Sequence, residues 1–135
     1  RCVDLIRKGG LSAGIAGHNV RVFEWMKKNL EVDYCMCCHY NPTPREDNPE
    51  HVHGAEEVYR EEDRQAMVEM IRTLAVPVIH YKVLAAGRND PDTAFAFTAK
   101  HMRAPDMVLA GVYLKDDPNQ LRQDVALFEK HWKAR

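Results

Sequence analysis

Long hydrophobic runs are missing from this 135-residue sequence. No apolar stretch approaches the roughly 18 to 20 residues of a membrane-spanning helix, and no charged-then-apolar leader precedes the first element, so a soluble cytoplasmic chain is expected. A surplus of charge of one sign is missing as well. The 19 Lys and Arg offset 20 Asp and Glu, which leaves no field to draw in nucleic acid or an anionic membrane surface. Cysteine is sparse, four residues in all. Three of them fall in Cys35-Met36-Cys37-Cys38, where neighbours do not easily meet disulfide geometry; buried free thiols are the expected state, with a thiolate metal site as the alternative. An initiator Met and an opening helix N-cap are lacking too, so Arg1 to Gly10 reads as a helix tail entered in mid-fold. What is present, 45% hydrophobic and 29% charged residues, matches one globular domain over 1–135.

Periodicity then alternates along the chain. Ser12 to His18 is a short apolar run bounded by glycines, followed by Asn19 at a helix N-cap. Phe23, Met26, Lys27 and Leu30 recur at helical spacing over 20–30. Asp33 to Tyr40 is short and evenly apolar, as suits a strand covered on both faces. Residues 41–58, with three prolines and no apolar period, predict a long and mobile loop. A helix follows over Tyr59 to Leu74, then a strand over Val76 to Leu84 and a turn at Ala85 to Arg88. Asp90-Pro91 and Asp117-Pro118 each predict a capped helix with Pro at its first position. Phe95, Thr98, Ala99 and Met102 line the first of these helices; Leu121, Val125, Phe128 and Trp132 line the second. Met107 to Tyr113 between them is the fourth strand. A helix tail followed by four strand-helix units predicts an α/β fold with a parallel sheet, half of a TIM-type (β/α)8 barrel. All four strands are apolar, which suits a barrel wall better than the edges of an open sheet. A second copy, or missing N-terminal sequence, is expected to complete it, most simply as a homodimer.

The same stretches resemble the last four units of the aldo/keto reductase-like barrels. Gly14-Ile15-Ala16-Gly17-His18-Asn19 is similar to the family's glycine-rich fifth strand, and Asp33-Tyr34 through Tyr40-Asn41-Pro42 to its sixth strand ending in Tyr-Asn. Val78 to Arg88 resembles the seventh strand and its Gly loop; Val108 to Val112, with Pro118, Leu121 and Val125, resembles the eighth strand and last helix. The resemblance implies the nicotinamide-nucleotide side of such an enzyme. His18 and Asn19 would hold the carboxamide of NADP, and Lys115, followed here by Asp116 and Asp117, would meet an adenosine phosphate. The family's proton-donating tyrosine and its companions belong to the other half, so no complete reductase site is expected.

Read from position alone, the chemistry of such a barrel belongs on the loops beyond the strand C-termini. His18, His39 and His80 fall at or near strand ends and could bind a divalent metal, joined by His51 and His53 from the long loop. His80 and Lys82, two apart, share a strand face and are expected in the barrel lumen as catalytic groups, Lys82 with a lowered pKa suited to base, Schiff-base or anion-binding work. Arg88 follows in a loop opened by Gly87. His18, His80, Lys82 and Arg88 are thus expected to form a rim site for a small anionic ligand. The alternatives are a non-catalytic, self-associating half-barrel and a metal-dependent barrel enzyme that uses the strand-end histidines.

Overall fold

Alternating apolar runs and capped helices build a four-stranded, all-parallel sheet in the order β1-β2-β3-β4, with five helices. The computed structural model describes residues 1–43 and 56–134. In chain order these are α1 (Cys2–Lys8), β1 (Gly14–Gly17), α2 (Val20–Asn29), β2 (Tyr34–Cys38), α3 (Glu61–Arg72), β3 (Val78–Tyr81), α4 (Pro91–His101), β4 (Met107–Leu109) and α5 (Gln120–Lys133). Most of the expected loop, residues 44–55 with His51 and His53, lies outside the described residues.

Register decides which side chains share a face, because neighbours in a parallel ladder point the same way. Ile15 pairs with Cys35 and Cys35 with Val78; Cys37 pairs with His80, and His80 with Val108. This face carries the helices. Cys35, Cys37 and Val78 pack with Phe23 and Met26 of α2 and with Met67 and Ile71 of α3. Val108 packs with Ala94 and Phe95 of α4 and with Phe128 of α5. The alternate row, Ala16, Met36, Ile79 and Met107, joins neither of these helix-packed clusters. Among the described residues the helices therefore cover one face of the sheet; on the other, Cys38 at the strand end is buried under Tyr40, Tyr59 and Tyr81, Met36 and Ile79 are half-buried, and Ala16 and Met107 are exposed.

Local chemistry fixes the connections. Asp33, just before β2, accepts from Arg7 Nη2 at 2.7 Å and from the Ala13 backbone N–H at 2.6 Å. One carboxylate thereby ties α1 to the start of β1, and the Arg7 hydrogen bond holds it below the usual carboxylate range. Asn19 caps α2 by accepting from the Arg21 N–H, and Asp90 caps α4 by accepting from Thr93 N–H, with Pro91 at the first position as expected.

Three expectations are corrected here. Asp117-Pro118 does not start a helix: Asp117 accepts from Asn119 N–H at 2.8 Å, an Asx turn that delays α5 until Gln120. The buried stripe of α5 is consequently rotated toward Asp124, Leu127 and Phe128, and Leu121 and Val125 are half exposed. β3 ends at Tyr81 rather than Leu84, since Lys82 turns left-handed at φ 55°. No described helix is long and apolar enough to cross a membrane.

Candidate functional site: the strand-end rim and a buried histidine pair

His80 points the opposite way from its expected place. It lies on the helix-covered face with Cys37 and Val108, is 0% exposed, and donates or accepts within a buried chain of polar groups. Its Nδ1 stands 3.0 Å from His39 Nε2, and its Nε2 3.5 Å from Asp106 Oδ2. A carboxylate only accepts, so the arrangement is satisfied when His80 Nε2–H faces Asp106 and His39 Nε2–H donates to His80 Nδ1. His39 Nδ1 is then a buried acceptor, and it has no hydrogen-bond partner.

Asp106 is the hub of this chain. It accepts from Val78 N–H at 3.0 Å, from Arg103 N–H at 2.8 Å, and from the Arg103 guanidinium at both oxygens, 2.9 and 2.7 Å. Arg103 also donates to the carbonyls of Leu74 and Val76. Burial alone would push the Asp106 carboxyl up; the Arg103 and Val78 hydrogen bonds outweigh it and hold the carboxyl below its usual range. Burial keeps His39 well below the ordinary imidazole value, reinforced by His80, Arg64 and His101. His80 is likewise lowered by burial, against the pull of Asp106. Both imidazoles are neutral structural groups at pH 7. His39 and His80 bond to each other, and no group of three or more His, Cys, Asp or Glu in metal-holding geometry occurs among the described residues. Burial pushes the Cys35 and Cys38 thiols up to about 11 and raises Cys37 as well, so as free thiols they stay protonated near neutral pH.

The strand ends on the other side gather a different set. Lys82 Nζ donates to Glu57 Oε1 at 2.9 Å and lies 5.7 Å from the centre of the Tyr59 ring. Arg88 places its guanidinium 4.6 Å from the same ring, and the Tyr59 hydroxyl donates to Glu57 Oε2. Tyr81, the last residue of β3, brings its hydroxyl to 3.4 Å from the Gly17 carbonyl and 3.5 Å from His18 Nε2. His18, Lys82 and Arg88 thus fall in one neighbourhood with Glu57, Tyr59 and Tyr81, and His80 does not. Strand alternation fails at Lys82 because the strand has already ended. Lys82, Ala85 and Ala86 all have positive φ, between 49° and 55°, ahead of Gly87 at 82°. Three non-glycine residues held left-handed within five positions store about 1 to 3 kcal/mol each.

Electrostatics assign these groups their roles. Burial disfavours the Lys82 charge, but the hydrogen bond to Glu57 and the fields of Tyr59 and Glu57 prevail, so its pKa is raised rather than lowered. Lys82 is a fixed positive point, which corrects the expected general base or Schiff-base amine. The Tyr59 and Lys82 hydrogen bonds hold Glu57 ionised. Burial, with the nearby Lys82 charge, keeps His18 below the ordinary imidazole value, and burial pushes the Tyr81 phenol up to about 12.

Beside this cluster a cleft of about 720 Å³ runs between the ends of β3 and β4, lined by Tyr81, Lys82, Leu84, Gly87, Leu109 and Gly111, with Asp116 and Asp117 on its wall. Of the residues expected to meet NADP, Asn19 uses its side-chain oxygen to cap α2 and borders a smaller hollow with His18, Asn41 and Arg60. Lys115 is exposed on the segment between β4 and α5. Sequence reasoning missed Asp106, Arg103, Glu57 and Tyr59. The Arg103-Ala-Pro-Asp106 turn immediately before a strand was a signal for the first two; Glu57 and Tyr59 sit at the end of an aperiodic segment that offers none. The chain matches no family model, no curated protein and no solved structure.

Proposed function

We propose that the chain is a (β/α)4 half-barrel, similar in arrangement to the cofactor-side half of an aldo/keto reductase-like barrel, whose strand-end rim binds a small anionic ligand. A second four-strand unit closes the barrel, and a homodimer is the simplest form of it. One observation carries the ligand reading: a carboxylate, that of Glu57, is already held at the rim by Lys82 Nζ at 2.9 Å and by the Tyr59 hydroxyl. Arg88 and His18 stand beside it, so the seat offers the Lys82 ammonium, one guanidinium and neutral donors. That is a recognition set for a carboxylate or phosphate group. The adjoining cleft receives the body of the ligand, and Asp116 and Asp117 on its wall confine the anionic end to the Lys82 side.

Calorimetric titration with malonate, and separately with inorganic phosphate, tests this. Removing a charge-assisted hydrogen bond costs about 1.5 to 3 kcal/mol, so Lys82→Ala is expected to weaken binding about 10- to 100-fold. Lys27→Ala, on the outer side of the molecule, is expected to leave it unchanged. Glu57→Gln removes the internal competitor and is expected to tighten binding several-fold. Equal affinity for wild type and Lys82→Ala, or no binding of either anion by Glu57→Gln, contradicts the reading.

A further inference from the structure

From the face of the sheet opposite the helices we infer that a second copy of this chain covers it, with β4 of each copy laid along β1 of the other. The inference rests on the half-barrel reading and names its partner. Both outer strands are edges of the sheet. β1 is Gly-Ile-Ala-Gly and β4 is Met-Val-Leu, short but with no proline and no charge in either, two of the devices that ordinarily blunt a free edge. The sheet order leaves β1 and β4 as the two edges, so one twofold axis running along the strand direction joins β4 to the partner's β1 twice and leaves no edge unpaired.

Side-chain size along that face argues for this partner. The row Ala16, Met36, Ile79, Met107 begins with a methyl group and ends with a long side chain. At the β1 end the Tyr34 ring lies so close over Gly14 that a Cβ there would sit 2.3 Å from it, and Ala16 beside it is small and exposed. At the β4 end the longer Met107 and Leu109 are 50% and 51% exposed. A twofold seam sets the long side chains of each copy's β4 beside Ala16 of the other, alternating large and small side chains as a filled barrel lumen requires. None of these residues is charged, so nothing on the face repels its own image.

Sedimentation at micromolar concentration is expected to give a dimer. Met107→Lys is expected to give a monomer with its helical circular dichroism retained, and Lys28→Glu on α2 to leave the dimer intact. Should Met107→Lys fail to fold, the otherwise wild-type pair Ala16→Cys with Leu109→Cys, in a Cys2→Ser background, decides the matter. These positions lie on opposite edges of one sheet, three strand spacings across, about 14 Å, and two residues along, about 7 Å, so a short bismaleimide of about half the crosswise span is expected to link two copies and not one. A compact wild-type monomer, larger open assemblies, or cross-linking confined to single chains overturns the seam. A monomer that still binds malonate through Lys82 overturns the seam alone and leaves the rim reading in place.

Discussion

Asp106→Ala is expected to remove about 3 to 5 kcal/mol of stability, the usual consequence of stripping one partner from a buried ion pair. The side chain of Asp106 is wholly buried. Its loss takes the Asp106 acceptor from four groups: the Arg103 guanidinium, the Arg103 backbone N–H, the Val78 N–H and His80 Nε2–H. Arg103 in turn holds the carbonyls of Leu74 and Val76, so the turn after α3 loses its anchor together with the start of β3. Domains of this size are stable by only about 5 to 15 kcal/mol, so much of the margin goes. Asp106→Asn keeps an acceptor for Val78 N–H and gives up the charge, and is expected to fall between wild type and alanine. Urea unfolding followed by circular dichroism measures the order. A loss below about 1 kcal/mol for the alanine variant, the range of an exposed ion pair, would remove Asp106 from its place at the hub.

Stability is also expected to fall as the pH drops below about 6.5, well before carboxylates protonate. In the folded chain His39 and His80 have depressed pKa values; in the unfolded chain they return to about 6.5. The unfolded state then binds more protons at acid pH. The stability associated with neutral burial is complete above the unfolded value and is lost as the pH falls beneath it, by up to about 1.4 kcal/mol per pH unit for each proton taken up. Every neighbour but one opposes charging. His39 faces His80 from β3, Arg64 from α3 and His101 from α4, and its remaining nitrogen has no partner. His80 faces Arg103 and His101, with Asp106 alone favouring its charge. His39→Gln removes one titrating group and is expected to flatten the profile between pH 6.5 and 4.5, measured as urea midpoints. An unchanged slope in that variant would mean that His39 is not among the groups that set it.

The fold was legible wherever a period and a punctuating residue coincided. Phe23 and Met26 at helical spacing, Asn19 and Asp90 ahead of their helices, and four apolar runs separated by helices suffice for a parallel α/β sheet. Asp117-Pro118 carried the same signal as Asp90-Pro91 and misled, because an Asp side chain satisfies a turn N–H two residues on as readily as a helix N–H three residues on. The direction of His80 was not legible. Counting alternate residues back from Lys82 assumes that the strand continues, and a left-handed φ at Lys82 breaks the count with no glycine to announce it. Glu57 was hidden for a different reason: what brings it to Lys82 is an ion pair across 25 residues, and no local pattern encodes a contact of that range.

Backbone amide shifts during a malonate titration report most directly whether an anion sits among His18, Tyr59, Lys82 and Arg88. The expected result is saturable perturbation of residues 17–19, 57–60 and 82–88, with little change along α2 and α3, and displacement of Glu57 seen as its own amide moving with the others. Perturbation scattered over exposed lysines without saturation, or confined to residues remote from Lys82, contradicts an anion site at the rim.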